Sequence, residues 1–251
     1  MEPTNHIAAL ATEGHLLATA AHGAGTAAPV PTCPGWRVRD LLRHIGMVHR
    51  WATALVTEGH TAYRPAGGEP GLDGPELLDW FREGHGHLVE TLRAAPTGLE
   101  CWTFMPAPSP LAFWARRQAH ETTIHRVDAE SARGGRLSQV PTDRAVDGID
   151  ELLRGFHGTA RSRVRSTTPL SLRLRATDTD VGWTVRLSSE PPRTVRDGTS
   201  AAADPADCEL SGTAGELYLT LWNRLPLSAL DLTGNPEPAR IWRESSAVTW
   251  P

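Results

Sequence analysis

The apolar residues of this chain change period once, near residue 165, and that change limits what each part can fold into. Upstream they recur at helical spacing, in segments separated by proline- and glycine-rich breaks. Residues 5–21 set Ile7, Leu10, Leu17 and Ala21 on roughly one face. The segment APVPTCPGW (28–36) interrupts the pattern. A helix is then expected from about Val38 to Val56, with Leu41, Ile45, Val48, Trp51, Ala52 and Leu55 in register. After a Gly- and Pro-rich loop, Pro75 suits the first turn of a helix. That helix carries Leu77, Leu78, Phe81, Leu88 and Leu92 and ends near Ala95 and Pro96. A long helix is expected from about Pro110 to Ala132, stopped by Gly134 and Gly135, and a further one from Asp143 to about Ser162.

Downstream, LSLRLRA (170–176) and GWTVRLSS (182–189) alternate apolar and polar residues, the pattern of half-buried strands. CELSG (208–212) reads as another strand. Thr213 with Glu216 three residues on has the capping-box pattern of a helix start, for a helix over 213–224. The stretch 188–207 reads as a turn and surface loop. The expected architecture is therefore a mixed two-domain chain: a bundle of four or five helices over about 1–165, and a small α+β domain over 166–251.

Charge excludes some functions. Twenty-five basic residues against 29 acidic ones leave a net charge of −4, which disfavours sequence-independent binding to nucleic acid. No apolar run approaches the ~20 residues that span a bilayer, and the N-terminus lacks a basic region followed by an apolar stretch. Neither a membrane nor a nucleic-acid partner is expected. Cys33, Cys101 and Cys208 are odd in number and widely spaced, so they read as free thiols of a reducing, cytoplasmic setting. All 25 basic residues are arginine, a bias attributed to a GC-rich genome.

Two polar anomalies interrupt the apolar pattern. His44 falls inside the inward stripe formed by Leu41, Ile45, Val48 and Leu55. A buried imidazole needs a partner, so His44 is either a hydrogen-bonded core histidine or a ligand. On the helix over 110–132, Glu121 and His125 are spaced i, i+4 and project from one face, with Gln118 and Asp128 near it. The zinc-protease pattern His-Glu-x-x-His is absent, because Ile124 stands four residues after His120. Taken together, His44, Glu121 and His125 offer two imidazoles and a carboxylate from two helices. Three protein ligands with an open position is a catalytic arrangement for zinc, and the same set also suits iron, nickel or manganese. Cys33 stands before a helix start, where a thiol pKa can fall, but packing at the turn is the favoured use for it. There is no phosphate-binding loop, GxGxxG or GxSxG.

VPTCPGWRVRDLLRHIGMVHRWA (30–52) resembles the N-terminal signature of the mycothiol-dependent maleylpyruvate isomerase family. LAFWARRQAHETTIHRVDAE (111–130) resembles its second signature, and GELYLTLWNRLPLSALDLTGNPE (215–237) its C-terminal domain. The resemblance implies a DinB-like four-helix bundle and a C-terminal domain similar to sterol carrier proteins. It implies a divalent metal, usually zinc, on His44, Glu121 and His125. It also implies that Arg224 binds anionic substrate or the thiol cofactor, mycothiol, a low-molecular-weight thiol of actinobacteria.

The chemistry implied is activation of a thiolate for attack on a small electrophile, including carboxylates, by a thiol S-transferase or a cis–trans isomerase. A metalloenzyme of the same fold that uses no thiol, such as a hydrolase or lyase, is an alternative, as is a non-catalytic regulator. The residues leave open whether the protein is a monomer or a dimer.

Overall fold

The structure is a computed structural model and describes residues 1–198 and 205–248. It separates into two units, Met1–Ser138 and Gln139–Pro251.

Each break expected in the first unit ends a helix. Helix α1 runs Pro3–Ala24, α2 Val38–Glu58, α3 Gly74–Ala94 and α4 Pro110–Arg133. The starts of α3 and α4 are capped, and Pro75 takes the first-turn place expected of it. Asp73 precedes α3. The Ser109 hydroxyl accepts from Ala112 N at 3.1 Å ahead of α4. Gly134, at φ 80°, closes α4, a conformation that costs glycine little.

Apolar stripes then assemble the bundle. Leu41, Ile45, Leu77 and Phe81 are fully buried, each stabilising the fold by roughly 1.5–3 kcal/mol of transfer free energy. Their cluster includes Leu17 and Ala129, so all four helices share it. A second cluster gathers Leu10, Leu55, Leu88, Phe113 and Trp114. Two glycines admit close packing: a Cβ on Gly14 would lie 2.1 Å from the His85 ring, and one on Gly46 would lie 2.2 Å from Trp80.

Helix α4 departs from the amphipathic pattern, because it is buried all round. Arg117, Gln118, His120, Glu121, His125, Arg126, Asp128 and Glu130 are all buried on it. Buried charge is tolerated only when paired. Arg126 accordingly donates to Glu13 of α1 and to Glu130, each at 2.8 Å, and to the Ser138 carbonyl.

In the second unit, β1 (Leu170–Ala176), β2 (Gly182–Leu187), β3 (Arg193–Asp197), β4 (Cys208–Gly212) and β5 (Asp231–Gly234) form one sheet. The strand order is β3-β2-β1-β4-β5. The β1–β4 pairing is parallel and the others are antiparallel. Leu172, Leu174, Trp183, Val185 and Leu210 are buried. Helix α5 (Thr142–Asp150) packs on α6 (Ala214–Leu221), while α6 and α7 (Glu237–Ser245) contact β1 and β4. The capping box of α6 is present, with Glu216 N donating to the Thr213 hydroxyl and Thr213 N to the Glu216 carboxylate.

Three expectations need correction. The division falls after Ser138 and not near 165, because α5 buries its apolar face in the second unit: Trp183 Nε1 donates to Asp150 at 2.8 Å and Phe156 meets Trp222 edge-on. The helix expected over 143–162 ends earlier, α5 passing at Glu151 into a π-helical turn that closes at Phe156. The expected loop over 188–207 contains strand β3, whose pattern is hidden because its residues are largely exposed; residues 199–204 of that stretch lie outside the described residues. Cys33, Cys101 and Cys208 form no disulfide. Among the described residues, no helix is long and apolar enough to cross a membrane.

Candidate metal centre

Helices α2 and α4 bring His44, Glu121 and His125 together. One potential ligand atom from each lies within 4.8 Å of the other two. His44 Nε2 is 3.7 Å from Glu121 Oε1, and His125 Nε2 is 3.3 Å from the same oxygen. The two imidazoles meet edge-on with centroids 5.2 Å apart. Glu121 and His125 are buried and His44 is half-buried. The stripe position of His44 is thus explained by its partner across the bundle.

Glu121 and His125 are each held from behind. Arg117, one turn before Glu121, donates to Glu121 Oε2 at 2.8 Å, which leaves Oε1 directed to the imidazoles. Burial alone would raise the Glu121 carboxyl. The Arg117 charge, with hydrogen bonds from His125 and His44, outweighs burial and holds the pKa well below the usual carboxylate range. His125 Nδ1 donates to Asp128 Oδ2 at 2.9 Å. Burial pushes the His125 pKa down, but Asp128 and Glu121 together raise it. Asp128 is fixed in turn by the Thr32 hydroxyl, which donates at 2.6 Å. Trp36, in the turn before α2, stacks on His125 at 16° between planes, with centroids 6.4 Å apart.

The donor set fits a divalent cation. A tetrahedral ion with ligand bonds near 2.0–2.1 Å sets neighbouring donors about 3.4 Å apart, against the 3.3 and 3.7 Å found here. A ligating histidine that donates its other ring nitrogen to a carboxylate is the usual support for such a site.

The other candidates lie elsewhere. His120 faces His6, with ring centroids 5.7 Å apart. His49 is buried against Phe81 and His85 and bonds the Thr122 hydroxyl at 2.9 Å. Cys33 is half-buried in the turn before α2, its carbonyl accepting from Trp36 N. Arg224 belongs to the second unit, where it follows Asn223 at φ 62° and donates to the Trp222 carbonyl at 2.9 Å.

The family model described as mycothiol maleylpyruvate isomerase N-terminal domain matches residues 7–130, and that of its C-terminal domain matches 143–239. The chain belongs to the mycothiol-dependent maleylpyruvate isomerase family. Two solved structures share the family's fold with it. The crystal structure of the mycothiol-dependent maleylpyruvate isomerase is 13% identical at a TM-score of 0.66, with 93% of each chain covered. That of a histidine mutant of the same enzyme is 12% identical at 0.64, again with 93% of each chain covered. Among curated proteins nothing matches.

Each family model lies inside one structural unit, and the C-terminal one begins at 143, well before 165. Within this family member, the sequence pattern located the three ligand candidates but missed the roles of Arg117 and Thr32. Arg117 was legible as an i, i+4 partner of Glu121. Thr32 was not, since it reaches Asp128 across 96 positions of sequence.

Proposed function

We propose that this chain is a metal-dependent enzyme that uses mycothiol to attack a small electrophile. The favoured reaction is cis–trans isomerisation of a maleylpyruvate-type acid, with thiol S-transfer as the outcome when the adduct is retained. The observation that carries the reading is the convergence of His44 Nε2, Glu121 Oε1 and His125 Nε2. Membership of the family and the name of the solved relatives supply the thiol and the substrate class.

His44, Glu121 and His125 would hold a divalent ion, which would supply the Lewis acidity that keeps a thiol ionised at neutral pH. The residues around it perform the positioning. Asp128, by accepting from His125 Nδ1, holds the ring with Nε2 on the Glu121 side, where its lone pair would serve a bound ion. Arg117 keeps Glu121 ionised and turned so that one oxygen remains available. Trp36 covers His125 and limits the approach of water on that side. We assign to Arg224 the binding of a carboxylate or other anionic group, for which a guanidinium is suited by its paired donors. For an isomerase the sulfur–carbon bond forms at the double bond, rotation follows, and the same bond breaks, so that the thiol is regenerated without net redox change.

Metal analysis combined with activity tests this reading. The purified protein is expected to carry a stoichiometric divalent metal and to isomerise maleylpyruvate only with mycothiol present. His44→Ala should lose the metal while retaining the helical circular dichroism. Absence of bound metal after supplementation with zinc, nickel or iron overturns the metal centre. A metal-replete protein that does not bind mycothiol in calorimetry overturns the thiol chemistry and favours a hydrolase or lyase.

A further inference from the structure

The helical unit carries a second concavity. A cleft of about 570 Å³ lies between α2, α3 and the segment joining them, and none of His44, Glu121 and His125 lines it. The volume is that of a small-molecule site. Its walls are largely apolar, with Met47, Trp51 and Leu55 from α2 and Trp80 from α3.

The two indoles are held in place. Trp51 Nε1 donates to the Arg64 carbonyl at 2.6 Å, and its ring meets that of Trp114 edge-on at 5.3 Å. Trp80 rests on Gly46, where no side chain fits, and the Arg50 guanidinium lies over its ring at 3.9 Å.

The charges of the lining are one-sided. Arg50, His60 and Arg64 contribute to it and no Asp or Glu does. Two of the three basic groups already have carboxylate partners outside the cleft. Arg50 donates to Glu83 at 3.1 Å, and His60 Nε2 is 2.6 Å from Glu58. Arg64 differs. Its carbonyl is pinned by Trp51, while among the described residues its guanidinium has no ion pair. One exposed cation without an ion pair, on backbone held by Trp51 at the rim of an indole-lined cleft, matches a ligand with a planar apolar body and a single negative charge.

We propose that this cleft is a binding site for a small aromatic monocarboxylate, its ring against Trp51 and Trp80 and its carboxylate on the Arg64 guanidinium. Trp51 lies seven positions after His44 on α2, about 10 Å along the helix axis, so a single-ring acid seated there leaves the three ligand side chains free. The site is independent of the thiol chemistry proposed above.

The test is a titration of the full chain with 4-fluorobenzoate followed by fluorine NMR. Saturable broadening is expected for the unmodified protein. Affinity should fall about tenfold or more in Arg64→Ala, through loss of a charge-assisted bond, and recover in part in Arg64→Lys. Ala54→Phe, which fills the cleft without altering charge, should weaken binding comparably. His44→Ala should bind as the unmodified protein does. Three results overturn the proposal: no saturable broadening, equal affinity in Arg64→Ala, or loss of binding in His44→Ala alone, which places the probe at the metal centre. Arg64 is exposed, so its variants leave the fold intact and the outcome interpretable.

Discussion

Asp128 accepts a 2.9 Å hydrogen bond from His125 Nδ1 while its own side chain is completely shielded from solvent. The pair orients the ring that faces Glu121. Asp128→Asn preserves shape and removes the charge. Metal affinity is expected to fall about tenfold, at the lower end of what loss of such support costs. A competition titration against a chromophoric chelator measures this, and unchanged affinity would show that Asp128 serves only the fold.

Arg126 joins α1 to α4 through Glu13 and Glu130, and all three side chains are at most 3% exposed. Removing the cation leaves two carboxylates buried together. Arg126→Ala should therefore cost about 3–5 kcal/mol of stability, read as the shift of a urea unfolding midpoint at constant slope. A loss under about 1 kcal/mol would mean that the carboxylates reach water in the variant.

Gly46 is the point where α2 admits the Trp80 ring, with a Cβ there only 2.2 Å from it. Gly46→Ala overfills that contact and is expected to cost about 1–3 kcal/mol, despite the higher helix propensity of alanine. Thermal unfolding that stays unchanged or rises would contradict the tight packing.

Stability should also depend on pH through His157 of the second unit. Its ring packs against Trp242 with centroids 4.7 Å apart, and burial, aided by the charge of Arg163, pushes its pKa down from 6.5 to about 4. The folded state thus resists protonation that the unfolded state accepts. Above pH 6.5 both states are neutral there and the group has no effect. As pH falls from 6.5 to 4, stability drops by about 3 kcal/mol from this residue. Chemical denaturation at pH 7.5, 5.5 and 4.5 should show that slope flattened in His157→Gln, and an unaltered slope would assign the acid sensitivity to other groups.

The sequence alone marked the breaks between the first four helices, because those signals are local: Pro75 and Gly134 act within a turn of their own positions. It also determined that α2 and α4 carry the ligand candidates, since a histidine in an apolar stripe and a Glu–His pair at i, i+4 are statements about one helix face. It could not place the boundary after Ser138, because the apolar face of α5 looks the same whichever unit buries it. Strand β3 was hidden for a related reason: exposed on both faces, it carries no alternation.

Only the tertiary structure decided that His44 meets Glu121, 77 positions away, and that Thr32 reaches Asp128. Only the packing could reveal that α4, charged along its length, is buried all round. Burial of charge depends on partners supplied by other helices, Glu13 for Arg126 and Thr32 for Asp128, and no local pattern contains them.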